Sequence, residues 1–315
     1  MSSNKMKFSA FGICAFVMAA CASNSANVEA AAPAEKAPSE EMAFGGAPAM
    51  WHLTDDDSEV VLFGTFHILP EGVDWQTDAF TDAMARTETT ITEADVASPE
   101  AQQQLMALVQ QYGLNPPGTT LSSILGPERA GQLSAVAGDL GVPFAAIEPY
   151  RPWFAIISLS TLAMQKEGFD PTKGVEPIVL AKANEEGDAI DFLETAEYQI
   201  KALSSLDGPE MLANFDVSMG QFADFKAITD RLLEVWTQGD IDALDAEFFG
   251  EMRATAPMAY DALIVDRNEN WTTEIKEIMA GEGDYFIAVG AGHLAGPDSV
   301  VNMLNAEGYE VKRVQ

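Results

Sequence analysis

The sequence predicts an α/β (α+β) fold, in which strands from both chain ends form a central mixed sheet covered by a helix-rich middle. Two apolar runs, residues 60–63 and 285–289, are rich in β-branched and aromatic side chains, which is typical of buried strands. Between them, most apolar residues recur at helical spacing. Each run leads into a Gly-x-x-His motif, Gly64-Thr65-Phe66-His67 and Gly290-Ala291-Gly292-His293. The matching motifs indicate that the two ends of the chain meet.

Strands and helices can be assigned in chain order through the first half. Residues 51–54 and 59–66 flank Asp55-Asp56-Asp57-Ser58 and predict a β-hairpin. A helix over 80–86 and a strand over 89–93 follow. The next predicted elements are helices over 100–112, 120–125, 127–141 and 153–167, and a short strand over 144–147 that ends before Glu148.

The second half is also mainly helical. Gly174 opens a helix that runs to residue 186, and Gly187 caps it before a strand over 189–193. Helices are predicted over 196–206, 209–215, 220–238, 240–249 and, with breaks, 251–280. A strand then ends at Gly290, and a helix over 298–307 and a closing strand over 309–314 complete the domain.

Composition limits the possible functions. The 315 residues are 47% hydrophobic, which is ample for a large core. The 49 acidic against 17 basic residues give a net charge of −32. Such a surface repels nucleic acid and anionic membrane, so we expect no nucleic-acid partner. Neutral and cationic substrates remain open.

The two cysteines, Cys14 and Cys21, both lie near the N terminus. The rest of the chain therefore has no disulfide, thiolate metal site or nucleophilic cysteine. Residues 1–20 have the features of an export signal, because two lysines precede an apolar stretch over 8–20 that is too short to span a membrane.

The end of this segment, Met18-Ala19-Ala20-Cys21, resembles a bacterial lipoprotein cleavage box. It predicts lipidation of Cys21 and anchoring in the bacterial cell envelope. Ala22 is not aspartate, which favours the outer membrane, on its periplasmic side; an ordinary cleaved signal followed by secretion is the alternative. Residues 21–49, rich in Ala, Pro, Ser and Glu, predict a flexible tether, and the domain occupies 50–315.

The histidines are the first candidates for chemistry. Only three are present, and His67 and His293 occupy the two matching motifs. Neutral imidazole is a good ligand for divalent metals and a good general base. Two histidines do not complete a metal site, since catalytic sites usually have three protein ligands. His52 follows no motif and is assigned to structure.

Carboxylates at predicted strand ends could complete the site. Glu93 is the last residue of a predicted strand, Glu194 and Glu148 come directly after one, and glutamate is disfavoured in strand interiors. Which one takes part remains open from the residues alone. Arg267 and Asn268 follow the apolar run 263–265, where the arginine could orient a carboxylate or hold an anion. A surface ion pair with a neighbouring acid is the alternative.

An ordered set of motifs resembles the TraB/PrgY/GumN family over about residues 51–314. The motifs are Leu62-Phe63-Gly64-Thr65-Phe66-His67, Pro152-Trp153, Leu193-Glu194-Thr195-Ala196-Glu197, Asp266-Arg267-Asn268 and Val289-Gly290-Ala291-Gly292-His293-Leu294-Ala295-Gly296. The set is specific, whereas each motif alone is weak. The family is related in fold to the erythromycin-esterase and ChaN-like group and includes the animal Tiki proteins, described as metal-dependent proteases.

The resemblance implies a site made of His67, His293, Glu93 and Arg267. Two positions depart from the family pattern. Phe66 replaces a more usual aliphatic residue. Glu176 stands where an aspartate is expected, so its carboxylate reaches one methylene further.

Together these features predict a lipid-anchored extracytoplasmic hydrolase, metalloprotease-like, that acts on a peptide or small molecule. His67, His293 and Glu93 would position a water or bind a divalent ion (Mn, Co or Zn) that activates it. Arg267 would stabilise the developing oxyanion or steer a carboxylate. A metal-independent, esterase-like hydrolase with a histidine base is one alternative. A non-catalytic module that sequesters a peptide signal or metal compound is another, and an envelope scaffold protein is a third.

Overall fold

The computed structural model describes residues 44–315. The predicted signal segment, Cys21 and most of the predicted tether lie outside the described residues. The strands are β1 (Met50–Thr54), β2 (Ser58–Thr65), β3 (Leu69–Pro70), β4 (Thr89–Thr92), β5 (Phe169–Asp170), β6 (Ala189–Phe192), β7 (Gly283–Gly290) and β8 (Lys312–Arg313).

The α-helices fill the middle of the chain and cover the sheet. They are α1 (Asp78–Arg86), α2 (Pro99–Tyr112), α3 (Leu121–Asp139), α4 (Phe144–Ile147), α5 (Pro152–Lys166), α6 (Val175–Glu186), α7 (Ala196–Ser204), α8 (Pro209–Ala213), α9 (Phe215–Ala223), α10 (Phe225–Thr237), α11 (Ile241–Leu244), α12 (Gly250–Thr255), α13 (Pro257–Tyr260), α14 (Asp266–Met279) and α15 (Val300–Ala306). Two π-helical segments, Asp245–Phe249 and Asp261–Val265, interrupt this series. Short 3₁₀ turns span Pro171–Lys173, Ser205–Asp207 and Ala291–Leu294.

The strands form a six-stranded mixed sheet in the order β6-β4-β7-β2-β1-β8. The four strands β6, β4, β7 and β2 are parallel, and the hairpin strand β1 adds antiparallel to β2. At the centre, β2 pairs with β7 along its whole length, from Ser58 with Gly283 to Thr65 with Gly290. Strands from the two ends of the domain are therefore neighbours, and the predicted fold class is confirmed.

Alternating side chains place a core on each face of the sheet. Phe63 and Phe286 face the larger core, where their rings pack with Phe80, whose centroid lies 5.1 Å from that of Phe63 and 5.6 Å from that of Phe286. Leu62 and Ile287 face a smaller core that α14 and α15 close. Because both faces are buried there, the central strands β2 and β7 contain continuous apolar runs, as expected for a parallel sheet.

Several predicted elements differ from the structure. Residues 144–147 form the helical turn α4 and not a strand, since Pro143 begins a tight turn and the segment has no strand beside it in the described part of the chain. The closing strand is only two residues long. The predicted helix over 220–238 is divided, because α9 ends at Ala223 and α10 begins at Phe225. The two-residue pair of β3 with β5 was not predicted.

Packed structure begins slightly before residue 50. Gly45 pairs with Asp74, and Pro48 and Ala49 are buried. In the part of the chain that the structure describes, no helix is both long and apolar enough to cross a membrane.

Candidate active site

The parallel strands deliver four polar side chains to one edge of the sheet. His67 follows β2, His293 follows β7, Glu93 follows β4 and Glu194 follows β6. The carboxyl ends of parallel strands meet at a single edge, which is where open α/β sheets bind ligands. All four side chains are buried or nearly so.

Arg267, at the start of α14, is the centre of this cluster and is completely buried. Its Nη2 donates to Glu93 Oε2 and to Glu194 Oε1, both at 2.7 Å, and its Nε donates to Glu194. Its Nη1 lies 2.8 Å from His293 Nε2 and 3.2 Å from the Leu263 carbonyl oxygen. These contacts engage all five guanidinium N–H groups.

Glu93 and Glu194 also accept hydrogen bonds from groups other than Arg267. Glu93 Oε1 accepts the backbone N–H of Gly290 at 2.8 Å, and Glu93 Oε2 accepts from Gln199 at 3.0 Å. Glu194 Oε2 accepts from the indole N–H of Trp271 at 3.2 Å. Trp271 lies one helical turn after Arg267, whose guanidinium carbon is 4.6 Å from the indole centroid.

The electrostatics of the two carboxylates differ. Burial raises the pKa of Glu93, but Arg267, His67 and the Gly290 N–H outweigh it and lower that pKa to about 2. Burial also raises the pKa of Glu194, and there Arg267 does not fully compensate, so that pKa stays above its ordinary value. Burial lowers the pKa of Arg267, but the two carboxylates raise it further, so the guanidinium is charged.

The hydrogen bonds of His293 define its tautomer. Asn268 Nδ2 donates to the carbonyl oxygens of His293 and Asp298, so Asn268 Oδ1 is the acceptor for His293 Nδ1 at 2.7 Å. The His293 Nδ1 therefore carries the hydrogen, and its Nε2 accepts from Arg267. Burial and the neighbouring guanidinium lower the pKa of His293 well below 6.5, which keeps the ring neutral.

The surroundings of His67, unlike those of His293, favour the protonated ring. Its Nδ1 lies 2.5 Å from Glu176 Oε1, which also accepts from the hydroxyl of Thr65. Its Nε2 lies 3.9 Å from Glu93 Oε1. Burial lowers the pKa of His67, but Glu176 and, more weakly, Glu93 outweigh it and raise that pKa to about 9.

Glycines make this close packing possible. A Cβ on Gly290 would lie 3.1 Å from both His67 Nε2 and Glu93 Oε1, in the space between the two groups. A Cβ on Gly174 would lie 2.1 Å from the His67 carbonyl oxygen. Glycine at position 174 therefore lets α6 begin directly against the end of β2 and brings Glu176 within reach of His67.

The donor set does not fit a metal ion as it stands. Both ring nitrogens of His293 are engaged, and one faces the positive charge of Arg267. Both oxygens of Glu93 accept hydrogen bonds, and Nδ1 of His67 is held by Glu176. Metal binding requires free, deprotonated donors. Across residues 44–315, no group of three or more His, Cys, Asp or Glu side chains is arranged to hold a metal ion.

Most of the candidate residues named from the sequence come together here. His67, His293, Glu93 and Arg267 form the centre, and Glu194, Asn268 and Glu176 contact it. Glu148 lies elsewhere, after α4, where it accepts the backbone N–H of Ser122 at the start of α3. Its selection rested on the incorrect strand over 144–147.

Other site residues were missed, and His52 lies apart from the cluster. The side chain of His52, on β1, is 2.9 Å from that of Glu59 on the neighbouring strand β2. Gln199, Thr65 and Trp271 were not singled out from the sequence. Only Trp271 had a usable signal, its four-residue spacing from Arg267.

The fold and site together define an α/β protein with a buried histidine, carboxylate and arginine cluster at the carboxyl edge of its parallel strands. The TraB/PrgY/gumN family model matches residues 49–313, and the chain belongs to this family. The resemblance inferred from the motifs is thereby confirmed.

Two kinds of relative match parts of the chain. A protein named "Metalloprotease TIKI homolog" from Amphimedon queenslandica is 26% identical over 112 residues, which are 34% of this chain and 22% of that protein. The proteins named "Uncharacterized protein YbaP" from Escherichia coli (strain K12) and Shigella flexneri are each 22% identical over 214 residues, 68% of this chain and 75% of theirs. The match thus spans under a quarter of the sponge protein's length. No solved structure matches the chain significantly.

Proposed function

We propose that this protein is a hydrolase in which His67 is the general base that activates water. The observation that carries the proposal is the setting of the His67 ring. Its Nδ1 is held by Glu176, and its Nε2 lies beside Gly290, which lines the same cavity as His67. A histidine whose ring lines a cavity and whose one nitrogen is held by a carboxylate is the arrangement that general-base hydrolases use.

The distances suit one activated water molecule. His67 Nε2 and Glu93 Oε1 are 3.9 Å apart, so a water at hydrogen-bond distance, about 2.8 Å, could contact both. In its neutral form, His67 would take a proton at Nε2 from this water as it attacks a carbonyl carbon, and the resulting imidazolium would be stabilised by Glu176. Because the pKa of His67 is raised to about 9, this neutral form becomes abundant only as pH approaches 9. His67 would then give the proton to the leaving group.

The proposed role of Arg267 differs from the one predicted from the sequence, which was contact with an oxyanion. Its five N–H groups are all occupied by groups of the protein, and its side chain is inaccessible to solvent. We propose that it positions Glu93 and His293 and does not touch the substrate. The family membership and the partial match to a protein named as a metalloprotease support hydrolysis as the reaction class.

The test uses the purified full-length chain with mixtures of peptides and carboxylic esters, followed by mass spectrometry. His67→Gln should lower hydrolysis at least about 100-fold, the usual contribution of a general base. His52→Gln is the matched control and should keep full activity. Equal activity in both variants contradicts the proposal, and saturable binding without any product would favour a sequestering module.

Metal dependence is a separate arm of the same assay. Because the histidine and glutamate donors are engaged with protein groups, we propose that hydrolysis proceeds without a metal ion, and activity should survive thorough chelation. Loss of activity that manganese, cobalt or zinc restores would support the predicted metal centre of His67, His293 and Glu93 instead.

We further propose that the enzyme is anchored by lipid at Cys21 and acts at the periplasmic side of the outer membrane. The support is the resemblance of Met18-Ala19-Ala20-Cys21 to a lipoprotein cleavage box. Metabolic labelling with an alkyne fatty acid should mark the wild-type chain and not Cys21→Ser, which should leave the membrane fraction. Labelling of neither would favour secretion.

A further inference from the structure

An apolar cavity of about 60 Å³ lies directly against His67. The other side chains lining it include Leu232 and Trp236 of α10, and Leu244 at the end of α11. None of the described lining residues is Asp, Glu, Lys or Arg. The cavity thus joins an uncharged, mainly apolar wall to the histidine that we propose as the base.

The two π-helical segments supply part of this wall. Phe248 and Phe249 come from Asp245–Phe249, and Ile264 comes from Asp261–Val265. A π-helical turn contains more residues than an α-helical turn and changes the direction in which the following side chains point. Such turns are rare and occur frequently at functional sites. Because both segments contribute to one cavity wall, the two π-helical turns determine the shape of the cavity.

Polar contacts hold the two π-helical segments in place. Arg253 makes a bidentate pair with Asp245, at 2.6 and 2.8 Å, where the first segment begins. Arg253 also donates to the hydroxyl of Tyr260, just before the second segment, and that hydroxyl donates to Asp298 at 3.0 Å. The Phe249 ring packs so closely on Gly292 that a Cβ there would lie 2.2 Å from it.

We infer that this cavity binds an aliphatic side chain of the substrate, next to the bond that is hydrolysed. The inference rests on the proposed function, because it takes the attacked bond to lie at His67. The cavity is only partly enclosed, and burying its apolar wall under an apolar ligand group removes that surface from water, which is favourable. A charged side chain would lose its hydration there without gaining a partner.

The volume sets the size of the occupant. A cavity needs about 10–15 Å³ to hold one water molecule, and one of about 150 Å³ holds benzene. At about 60 Å³, this partly open cavity lies between these two sizes, which suits a side chain from alanine to leucine better than an aromatic ring. The predicted substrate therefore presents Ala, Val or Leu, or an acyl group of similar shape, beside the scissile bond.

Binding can be tested without catalysis. N-acetyl methylamides of Gly, Ala, Val, Leu, Phe, Lys and Glu are titrated into the full-length chain, with methyl NMR of Ile264 and Leu232 as the readout. We expect the Leu or Val amide to bind at least about tenfold more tightly than the Gly amide, the usual effect of burying such a side chain. Equal affinities, or preference for the Lys or Glu amide, would overturn the inference.

Two variants and one control locate the binding. Phe249→Ala enlarges the cavity and should move the preference to the Phe amide, whereas Leu232→Phe narrows it and should move the preference to Ala. Phe225→Ala removes an equally buried ring, 7% exposed like Phe249, that does not line the cavity, and should leave the ranking unchanged. The inference fails if Phe225→Ala changes the ranking as much as the two cavity variants, or if neither of these changes it.

Peptides that vary at one residue beside the cleaved bond separate this inference from the proposed function. Hydrolysis that is equally fast with Gly, Leu and Lys at that position would overturn the inference and leave the function standing. If the methylamides bind in the expected order of affinity but no peptide or ester is hydrolysed, the proposed function is overturned. The cavity then remains a binding site for aliphatic groups.

Discussion

Arg267 shows how one buried residue organises the site. A guanidinium presents five N–H groups in a fixed plane, and here they are shared among four acceptor residues on different parts of the fold. Those acceptors follow β4, β6 and β7 and include the Leu263 carbonyl one turn earlier. The arginine therefore links the ends of three strands to α14, and its charge compensates two buried carboxylates.

Removing this charge should destabilise the protein strongly. Arg267→Met keeps a similar volume but leaves Glu93 and Glu194 buried without a cation, and breaking a buried ion pair in this way costs about 3–5 kcal/mol. Urea denaturation at pH 7 measures the free energy of unfolding. Arg231→Met is the control, because the ion pairs of Arg231 with Glu234 and Glu247 are partly exposed and such pairs contribute about 1 kcal/mol or less. Similar losses in both variants would contradict the central role of Arg267.

Glu176 should set the pH dependence of hydrolysis. If His67 is the base, kcat/KM rises with pH until His67 is deprotonated, near its pKa of about 9. Glu176→Gln removes the carboxylate that raises this pKa, so the inflection should move to lower pH. Glu148→Gln, far from His67, should leave it unchanged. A rate that falls as pH rises through 9 would instead indicate that His67 acts as an acid.

The residues of the site were only partly predictable. The Gly-x-x-His motifs marked His67 and His293 because rare residues recurred in matching positions. Glu93 was one of three glutamates placed at strand ends, and only the family resemblance favoured it among them. Gln199 could not be found this way, since its side chain reaches Glu93 only through tertiary packing. The tautomer of His293 depends on Asn268, whose contacts are also visible only in the fold.

Among the helices and strands, the start of α6 determines the geometry of His67. The N–H of Val175 donates to the carbonyl oxygen of Phe66 at 3.0 Å, which joins the helix to the end of β2. Gly174 makes this approach possible because it has no side chain. The helix in turn places Glu176, its second residue, against the imidazole ring.

Gly174→Ala should therefore separate the helix from the strand. The added Cβ would collide with the backbone of His67, and overpacking of this kind costs about 1–3 kcal/mol. Gly131→Ala is the control, because an added methyl group at that position in α3 would have no neighbouring atom within 4 Å, and it should raise stability by about 0.5–1 kcal/mol. Thermal and urea unfolding of both variants measure whether the free energy of unfolding falls for Gly174→Ala and rises for Gly131→Ala. A neutral Gly174→Ala would show that α6 can move away from β2 without cost.

Elements with a strong local pattern were predicted well. The strands β2 and β7 and the helices α2, α5 and α6 follow apolar periodicity and capping residues, and their existence agrees with the sequence analysis. Short elements were predicted poorly, because a segment of four residues such as 144–147 shows no clear hydrophobic periodicity. The π-helical segments had no sequence signal either, because they arise where helix packing forces an extra residue into a turn.

Across the full domain, the site depends on pairing between distant parts of the chain. The strands β2 and β7 are separated by more than 200 residues and yet form the centre of the sheet. Such pairing is slow to form, because a long loop must close before its contacts stabilise it. His67 and Glu93 are thus ionised groups buried where distant parts of the chain meet.

These two groups, together with His293, should give the free energy of unfolding a limited pH optimum. The pKa of His67 is raised from 6.5 to about 9, so its stabilising effect is complete below pH 6.5 and is lost as pH rises to 9, about 3 kcal/mol in all. The pKa of Glu93 is lowered from 4.5 to about 2, so its effect is lost as pH falls from 4.5 towards 2. The pKa of His293 is lowered well below 6.5, so its stabilising effect is lost as pH falls below 6.5. Urea unfolding at intervals from pH 3 to 9.5 should therefore show a maximum at about pH 6.5, with an alkaline decline from His67 and an acid decline from His293 and then Glu93. His67→Gln should remove most of the alkaline decline, since the chain has only three histidines. A wild-type curve that stays flat from pH 6 to 9.5 would show that His67 is not held as an imidazolium by Glu176 and Glu93.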